Sequence, residues 1–247
     1  MTLLERLTNS ARLLHRSRFH YYRNAVVKPP YWLWANGQLC RVAAGTEAGA
    51  GSCYSEVAVE DSYGVFSYAR RAKPQVIVDI GANIGVFSKL CSMMFPEADI
   101  YAYEPNPSPV TWLRQNAVGT RIRVMPVAVG ETFGVVKLDT SCDSTNSQVK
   151  DDGDLPVQCV AASGVAEGRE IDFLKMDCEG SEWSILRDPS LLGRSKEFCL
   201  AYHLHGRTVE ELKVLIEASG HHVVQCVGTN KGGEYGLIRS VLQTNVS

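Results

Sequence analysis

The stretch VIVDIGANIG, residues 76–85, constrains this chain more than any other. An apolar run rich in β-branched residues reaches Asp79 and then breaks into Gly81, Asn83 and Gly85. The run is continuously apolar rather than alternating, which suits a strand covered on both faces. A strand that ends in glycine and re-enters a helix leaves backbone N–H groups at the carboxyl edge of a sheet. Glycine there permits positive φ and close approach of a ligand.

The same alternation continues along the chain. Strands are predicted near 76–80, 99–104, 122–129, 171–177, 197–203, 222–227 and 236–242, with helices near 84–95, 107–118, 181–188 and 207–219. Strands alternating with helices of this length imply βαβ units and a mostly parallel, doubly wound sheet. The last two strands are joined by the Gly-rich TNKGGEY, too short for a crossover, so they form an antiparallel hairpin. The fold class is therefore α/β, a Rossmann-like sheet of seven strands closed by a C-terminal antiparallel hairpin, and it fits a methyltransferase fold better than a dehydrogenase.

The chain divides into an N-terminal extension, 1–75, and a main domain, 76–247. Within 1–28, six Lys or Arg face a single Glu5, and Leu3, Leu4, Leu7, Ala11 and Leu14 fall at helical spacing. That basic amphipathic helix either packs on the main domain or touches a membrane surface or a partner. YWLW reads as a short strand, and AAGTEAGAGS as a flexible loop. The formal net charge is -2, so no global field argues for nucleic acid. No apolar run approaches the 18 residues of a membrane span. The eight cysteines show no Cys-x-x-Cys pair or zinc spacing and read as reduced thiols of a cytoplasmic protein.

The glycine loop is neither a dinucleotide fingerprint nor a Walker loop. Asn83 stands where the second glycine of G-x-G-x-x-G would be, and Val86 stands where the third would be. Asp79 would repel a pyrophosphate, whereas a ligand bearing an amino group and a sulfonium, such as S-adenosylmethionine, tolerates an acid. Glu104 ends the next strand in IYAYEPNP, a place where an acid accepts both ribose hydroxyls. An acid before Pro105 and Pro107 also suits a helix start.

In FLKMDCEGSEWSIL, Lys175 and Asp177 share one strand face, and Glu179 and Glu182 follow across a turn. A lysine in a buried strand needs a partner, which Asp177 or a ligand supplies. Glu182 also complements a helix dipole.

Together VDIGANIGVFS, YAYEPNP, VAVGE and IDFLKMDCEGSEWSIL resemble the FkbM-type S-adenosylmethionine-dependent methyltransferases over roughly residues 76–203. The resemblance implies a class I methyltransferase fold and methyl transfer to oxygen, often on a sugar or a natural-product hydroxyl. It implies that Asp79, Gly81, Asn83 and Gly85 form the cofactor loop, that Glu104, with Pro105 beside it, holds the ribose, and that Ala128 and Val129 lie beside the adenine. Asp177 belongs to the cofactor side and to the catalytic side. The chain departs from the family at Ala201-Tyr202-His203, where Glu-x-His is usual, and at CVAASG, where a Thr-Leu-Asp run is usual.

AYHLHGR adds His203 and His205, which share a face if the strand continues. A neutral His near pH 7 suits a general base for an acceptor hydroxyl. The catalytic candidates are thus His203, His205, Asp177, Lys175 and Glu179. A divalent metal on the acids is possible but not favoured, because the family's Glu is absent at Ala201. DTSCDSTNSQ, within 139–148, reads as a solvated loop or a sugar-facing one. The leading reading is O-methylation of a small-molecule or glycan acceptor. The alternatives are a catalytically weak cofactor-binding module and, less favoured, a nicotinamide-dependent oxidoreductase.

Overall fold

The computed structural model describes residues 29–140, 147–228 and 233–243. The expected helix within 1–28 and the centre of DTSCDSTNSQ lie outside these residues.

The described residues open with β1 (Tyr31–Ala35) and β2 (Gln38–Val42), an antiparallel hairpin. Its turn residues Asn36 and Gly37 have φ of 47° and 75°, both in the left-handed region that the Asn-Gly hairpin turn requires. Next come α1 (Ala50–Tyr54), a π-helical turn over Ser55–Glu60, and α2 (Val65–Ala69). The expected loop over AAGTEAGAGS therefore ends in a helix.

Strand–helix alternation begins with β3 (Val76–Ile80), α3 (Val86–Met94), β4 (Asp99–Tyr103), α4 (Pro107–Ala117) and β5 (Ile122–Met125). There follow β6 (Ala128–Gly130), β7 (Gly134–Asp139), β8 (Gln148–Val149), β9 (Leu155–Ala161) and a 3-10 segment, Ala162–Gly168. The chain then runs through β10 (Phe173–Met176), α5 (Glu182–Ile185), α6 (Ser190–Gly193), β11 (Glu197–His203), α7 (Val209–Ala218), β12 (His221–Gly228) and β13 (Tyr235–Leu242). Caps fix two helix starts. The Asn106 side chain accepts the Ser108 N–H at 3.0 Å with Pro107 in the first turn, and Thr208 and Glu211 form a reciprocal capping box.

The main sheet has seven strands in the order β12-β13-β11-β10-β3-β4-β5. All neighbours are parallel except β13, which is antiparallel to both β11 and β12. This is the class I methyltransferase arrangement, with the C-terminal hairpin read from the sequence. Strand order reverses between β3 and β10, and ligands of open α/β sheets bind at the carboxyl edge of such a switch point.

Two differences from the sequence reading matter. The single strand expected over 122–129 is two strands, split around Pro126, which has no N–H for a ladder. β6 leaves the main sheet for a second one of four strands, β6-β9-β7-β8, which the sequence reading missed.

Alternate residues of the central strands face opposite layers. Val78, Ile80, Leu174 and Met176 pack against Trp183, Leu191, Leu212 and Ile216. Ile77, Ile100 and Phe173 pack with Phe87 and Leu90 of α3, and also with Tyr31, Tyr54 and Tyr63 of the extension. The described part of 1–75 thus shares one core with the main domain. No helix among the described residues is long and apolar enough to cross a membrane.

Candidate active site

Two loops at the switch point define the site: residues 81–85 after β3 and 177–181 after β10. In the first, the N–H groups of Gly81 and Ala82 both donate to the Tyr103 carbonyl, at 3.0 and 2.9 Å. Asn83, at φ 49°, donates its N–H to Glu104 Oε2 at 2.8 Å. Glu104 Oε1 accepts the Asn106 N–H at 2.8 Å, so one carboxylate holds the loop and the start of α4 together. Burial pushes the Glu104 carboxyl up to about 7, against the pull of those two N–H donors.

The glycines of this loop serve packing. A Cβ at Gly81 would sit 1.7 Å from the Asp177 carbonyl oxygen, and one at Gly85 would sit 2.4 Å from Leu113 Cδ1. Gly81 therefore lets the two loops touch, and Gly85 lets α4 close on α3.

Lys175 lies in β10 opposite Asp79 in β3. Its Nζ donates to the Gly81 carbonyl at 2.6 Å and lies 3.1 Å from Asp79 Oδ1 and 4.0 Å from Asp177 Oδ2. Burial works against this ammonium, but the charges of Asp79 and Asp177 outweigh it and hold its pKa above the usual lysine value. Asp79, fully buried, also accepts the Ser88 hydroxyl at 2.7 Å. The buried lysine's main partner is thus Asp79, with Asp177 second.

The loop after β10 is organised by charge. Fully buried Glu182 accepts the N–H groups of Cys178 at 2.9 Å and Gly180 at 2.7 Å. His203 ends β11 between two acids, its Nδ1 3.3 Å from Glu182 and its Nε2 3.4 Å from Glu179. Burial lowers its pKa, but the hydrogen bond and charge of Glu182 and the charge of Glu179 prevail and raise it to about 9. Burial raises Glu179 to about 7 despite His203. These two neighbours favour the imidazolium form of His203 over the neutral base expected from the sequence. The strand also stops at His203. His205, at φ 47°, lies in a turn with its ring packed against Gly180.

Between these loops opens a cavity of about 990 Å³, open mouth included. Of the expected cofactor residues, Gly81, Asn83, Glu104, Pro105, Ala128 and Val129 line it, while Asp79 and Gly85 do not. Of the expected catalytic residues, Lys175, Asp177 and Glu179 line it, while His203 and His205 do not. The remaining wall comes from segments that the motifs did not reach. The extension contributes Ser52, Cys53, Glu56 and Tyr63, and the second sheet contributes Leu138 and Val149, with Ser147 beside them. The period-two apolar pattern of GVVKLD and LPVQCVA is the signal that would have found the second sheet. Nothing in the sequence marks Glu56.

A family model of the methyltransferase FkbM domain matches residues 79–226. The chain belongs to the FkbM methyltransferase domain family. The FkbM domain here is 27% identical over 119 residues to the hexuronic acid methyltransferase AglP of Haloferax volcanii, covering 45% of this chain and 48% of that protein. It is 39% identical over 72 residues to the 31-O-demethyl-FK506 methyltransferase FkbM of Streptomyces tacrolimicus, covering 28% of each. The chain thus spans about half of one curated relative and about a quarter of the other. Among solved structures, it is similar to a magnesium protoporphyrin IX methyltransferase from Synechocystis, with TM-score 0.48 and 11% identity over 77% of this chain and 83% of that one. It is also similar to a precorrin-6y C5,15-methyltransferase from Geobacter metallireducens, with TM-score 0.47 and 17% identity over 75% and 89%.

The cofactor of this family is S-adenosylmethionine, and the FkbM domain has a donor set that fits it. The carboxylate Glu104 after β4, apolar Ala128 and Val129, and the acids Asp177, Glu179 and Glu56 all line the cavity, a mix that suits a ligand with hydroxyls, a flat base and a cationic group. Asp177, Glu182 and His203 each offer an atom within 4.8 Å of the others, the spacing of a metal site. Glu182 also accepts two backbone N–H groups, and its Oε1 lies 3.3 Å from His203 Nδ1, so hydrogen bonds tie this cluster together.

Proposed function

We propose that the chain transfers a methyl group from S-adenosylmethionine to a hydroxyl of a glycan or secondary-metabolite acceptor. The observation that carries this reading is the cavity at the switch point, with Glu104 at the end of β4 and Asp177 at the end of β10. When bound, the cofactor supplies an electrophilic methyl group on a sulfonium. Glu104 would take the ribose hydroxyls, and Gly81, Ala82 and Asn83 would lie along the nucleoside. Asp177, fixed by the Tyr63 hydroxyl at 2.7 Å and by Lys175, would face the cationic end. The acceptor would enter beside Glu56 and Glu179, where carboxyl groups suit the hydroxyls of a polyol. The two relatives, a hexuronic acid methyltransferase and a 31-O-demethyl-FK506 methyltransferase, support this acceptor class. The seven free cysteines among the described residues suit a reducing compartment such as the cytoplasm.

The test has two steps. Calorimetry with S-adenosylhomocysteine checks the cofactor, and transfer of labelled methyl from S-adenosylmethionine into extracted glycans and metabolites checks the acceptor. Binding with label at an ether oxygen is the expected result. No binding would overturn the cofactor assignment, and label at nitrogen or carbon would overturn the hydroxyl.

A further inference from the structure

We propose that Glu56, carried by the π-helical turn of the extension, is the group that takes the proton from the acceptor hydroxyl. This rests on the methyl-transfer reading above and adds a residue outside the matched stretch 79–226. His203 is excluded from the role by its place between Glu179 and Glu182 and away from the cavity wall. The other ionisable groups of the wall are committed. Glu104 accepts two backbone N–H groups at the β4 end. Asp177 accepts the Tyr63 hydroxyl and faces Lys175, and Glu179 pairs with His203.

Glu56 remains, half-buried on the cavity wall with Asp177 and Lys175 of the β10 end as its charged neighbours. Its carboxyl lies beside the Tyr63 hydroxyl. That hydroxyl has one hydrogen and donates it to Asp177. Glu56 competes for that hydrogen, and a bond from it favours the ionised Glu56 carboxylate. Glu56, Tyr63 and Asp177 thus form a row in which a proton arriving on Glu56 leaves the Tyr63 hydrogen to Asp177. π-turns within helices recur at functional sites, and this one carries Glu56.

The groups facing Glu56 agree with the role. Burial and the charge of Asp177 raise its pKa, Lys175 and the Tyr63 hydroxyl oppose the rise, and Glu60 adds to it, leaving Glu56 at about 7. Glu179 and the Cys53 and Cys199 thiols are its other charged or titratable neighbours. The reaction balances. The acceptor oxygen forms its bond to the methyl carbon as the carbon–sulfur bond breaks, and that electron pair stays on sulfur as a neutral thioether. The hydroxyl proton goes to the Glu56 carboxylate and leaves to solvent after product release.

Two measurements test this. Carbon NMR of glutamate-labelled protein, with S-adenosylhomocysteine and no acceptor, should show a carboxyl titrating near 7 that is lost in Glu56→Gln. Its midpoint should rise in Tyr63→Phe, which removes the hydrogen bond that favours the Glu56 carboxylate. Methyl transfer should increase with pH through about 7 in wild type and in His203→Gln. In Glu56→Gln it should fall about 100-fold and lose that rise, with S-adenosylhomocysteine affinity unchanged. A Glu56 midpoint in the ordinary carboxylate range, or a Glu56→Gln enzyme that keeps the wild-type rate and rise, would overturn the proposal. The NMR midpoint needs no acceptor, so failure of the hydroxyl reading registers separately.

Discussion

The loop after β3 and the loop after β10 touch at the carboxyl edge of the sheet, yet they are held by different forces. Backbone N–H groups, given to the Tyr103 carbonyl and to Glu104, fix residues 81–83. Side-chain charge fixes residues 177–181, through Glu182, His203 and Glu179, while Lys175 reaches from β10 to the Gly81 carbonyl and Asp79. The first construction hardly senses pH outside Glu104, whereas the second senses it at several groups. A face held by backbone hydrogen bonds thus lies against a face whose proton content can change with pH.

The largest test of this contrast is Gly81→Val. The new side chain would meet the Asp177 carbonyl, so the two loops could no longer touch, and the residue would also need a φ of +75°. A loss of about 4 kcal/mol or more, or failure to fold, is expected in urea denaturation. A variant within about 1 kcal/mol of wild type would show that the loops do not depend on each other.

Glu182→Ala should come next, at about 3 kcal/mol. It strands the N–H groups of Cys178 and Gly180 and removes one of the two acids around His203. Proton NMR should show the His203 midpoint falling from about 9 toward its ordinary 6.5. An unmoved midpoint would mean that Glu182 is not what holds the imidazolium.

Glu104→Gln addresses the other loop. Loss of charge-assisted hydrogen bonds should weaken S-adenosylhomocysteine about ten- to a hundredfold by calorimetry. Wild-type affinity should also strengthen modestly from pH 6 to 8, because ribose hydroxyls favour the ionised carboxylate and burial sets its titration at about 7. Affinity that is flat in pH and unchanged in the variant would refute the ribose assignment.

The smallest effect is on stability against pH. His203 binds its proton more tightly when folded, so its contribution is complete below about 6.5 and is lost as pH rises through about 9. Denaturation at pH 6, 7.5 and 9 should show a decline in wild type that is shallower in His203→Gln. Parallel declines would place the titrating group elsewhere.

The fold around the loop after β3 was largely legible in the sequence, because it is written in backbone. Continuous apolar strands and the breaks at Gly81 and Gly85 mark a strand–loop–helix edge, whereas the acid ending IYAYE suited both a ligand and the helix start that Glu104 secures. The acceptor half was harder to read. The ionic state of His203 depends on Glu179 and Glu182, which reach it only after β10 and β11 pair, so an isolated histidine read as neutral. Glu56 and Tyr63 lie far from the motifs in sequence and join the cavity through the shared core of Tyr31, Tyr54, Phe87 and Phe173. Short half-exposed strands such as β7 and β9 give weak periodicity, so the second sheet passed as loop.

The π-helical turn at Ser55–Glu60 makes the acceptor side sensitive to insertions and deletions rather than to substitutions. Removing one residue between Glu56 and Tyr63 would tighten the turn to an α-helix and rotate the two side chains relative to each other by about 100°. The row through Tyr63 to Asp177 would break while every residue from 79 onward kept its place. Relatives with the same donor loops could therefore diverge in chemistry through a change of length in this one turn.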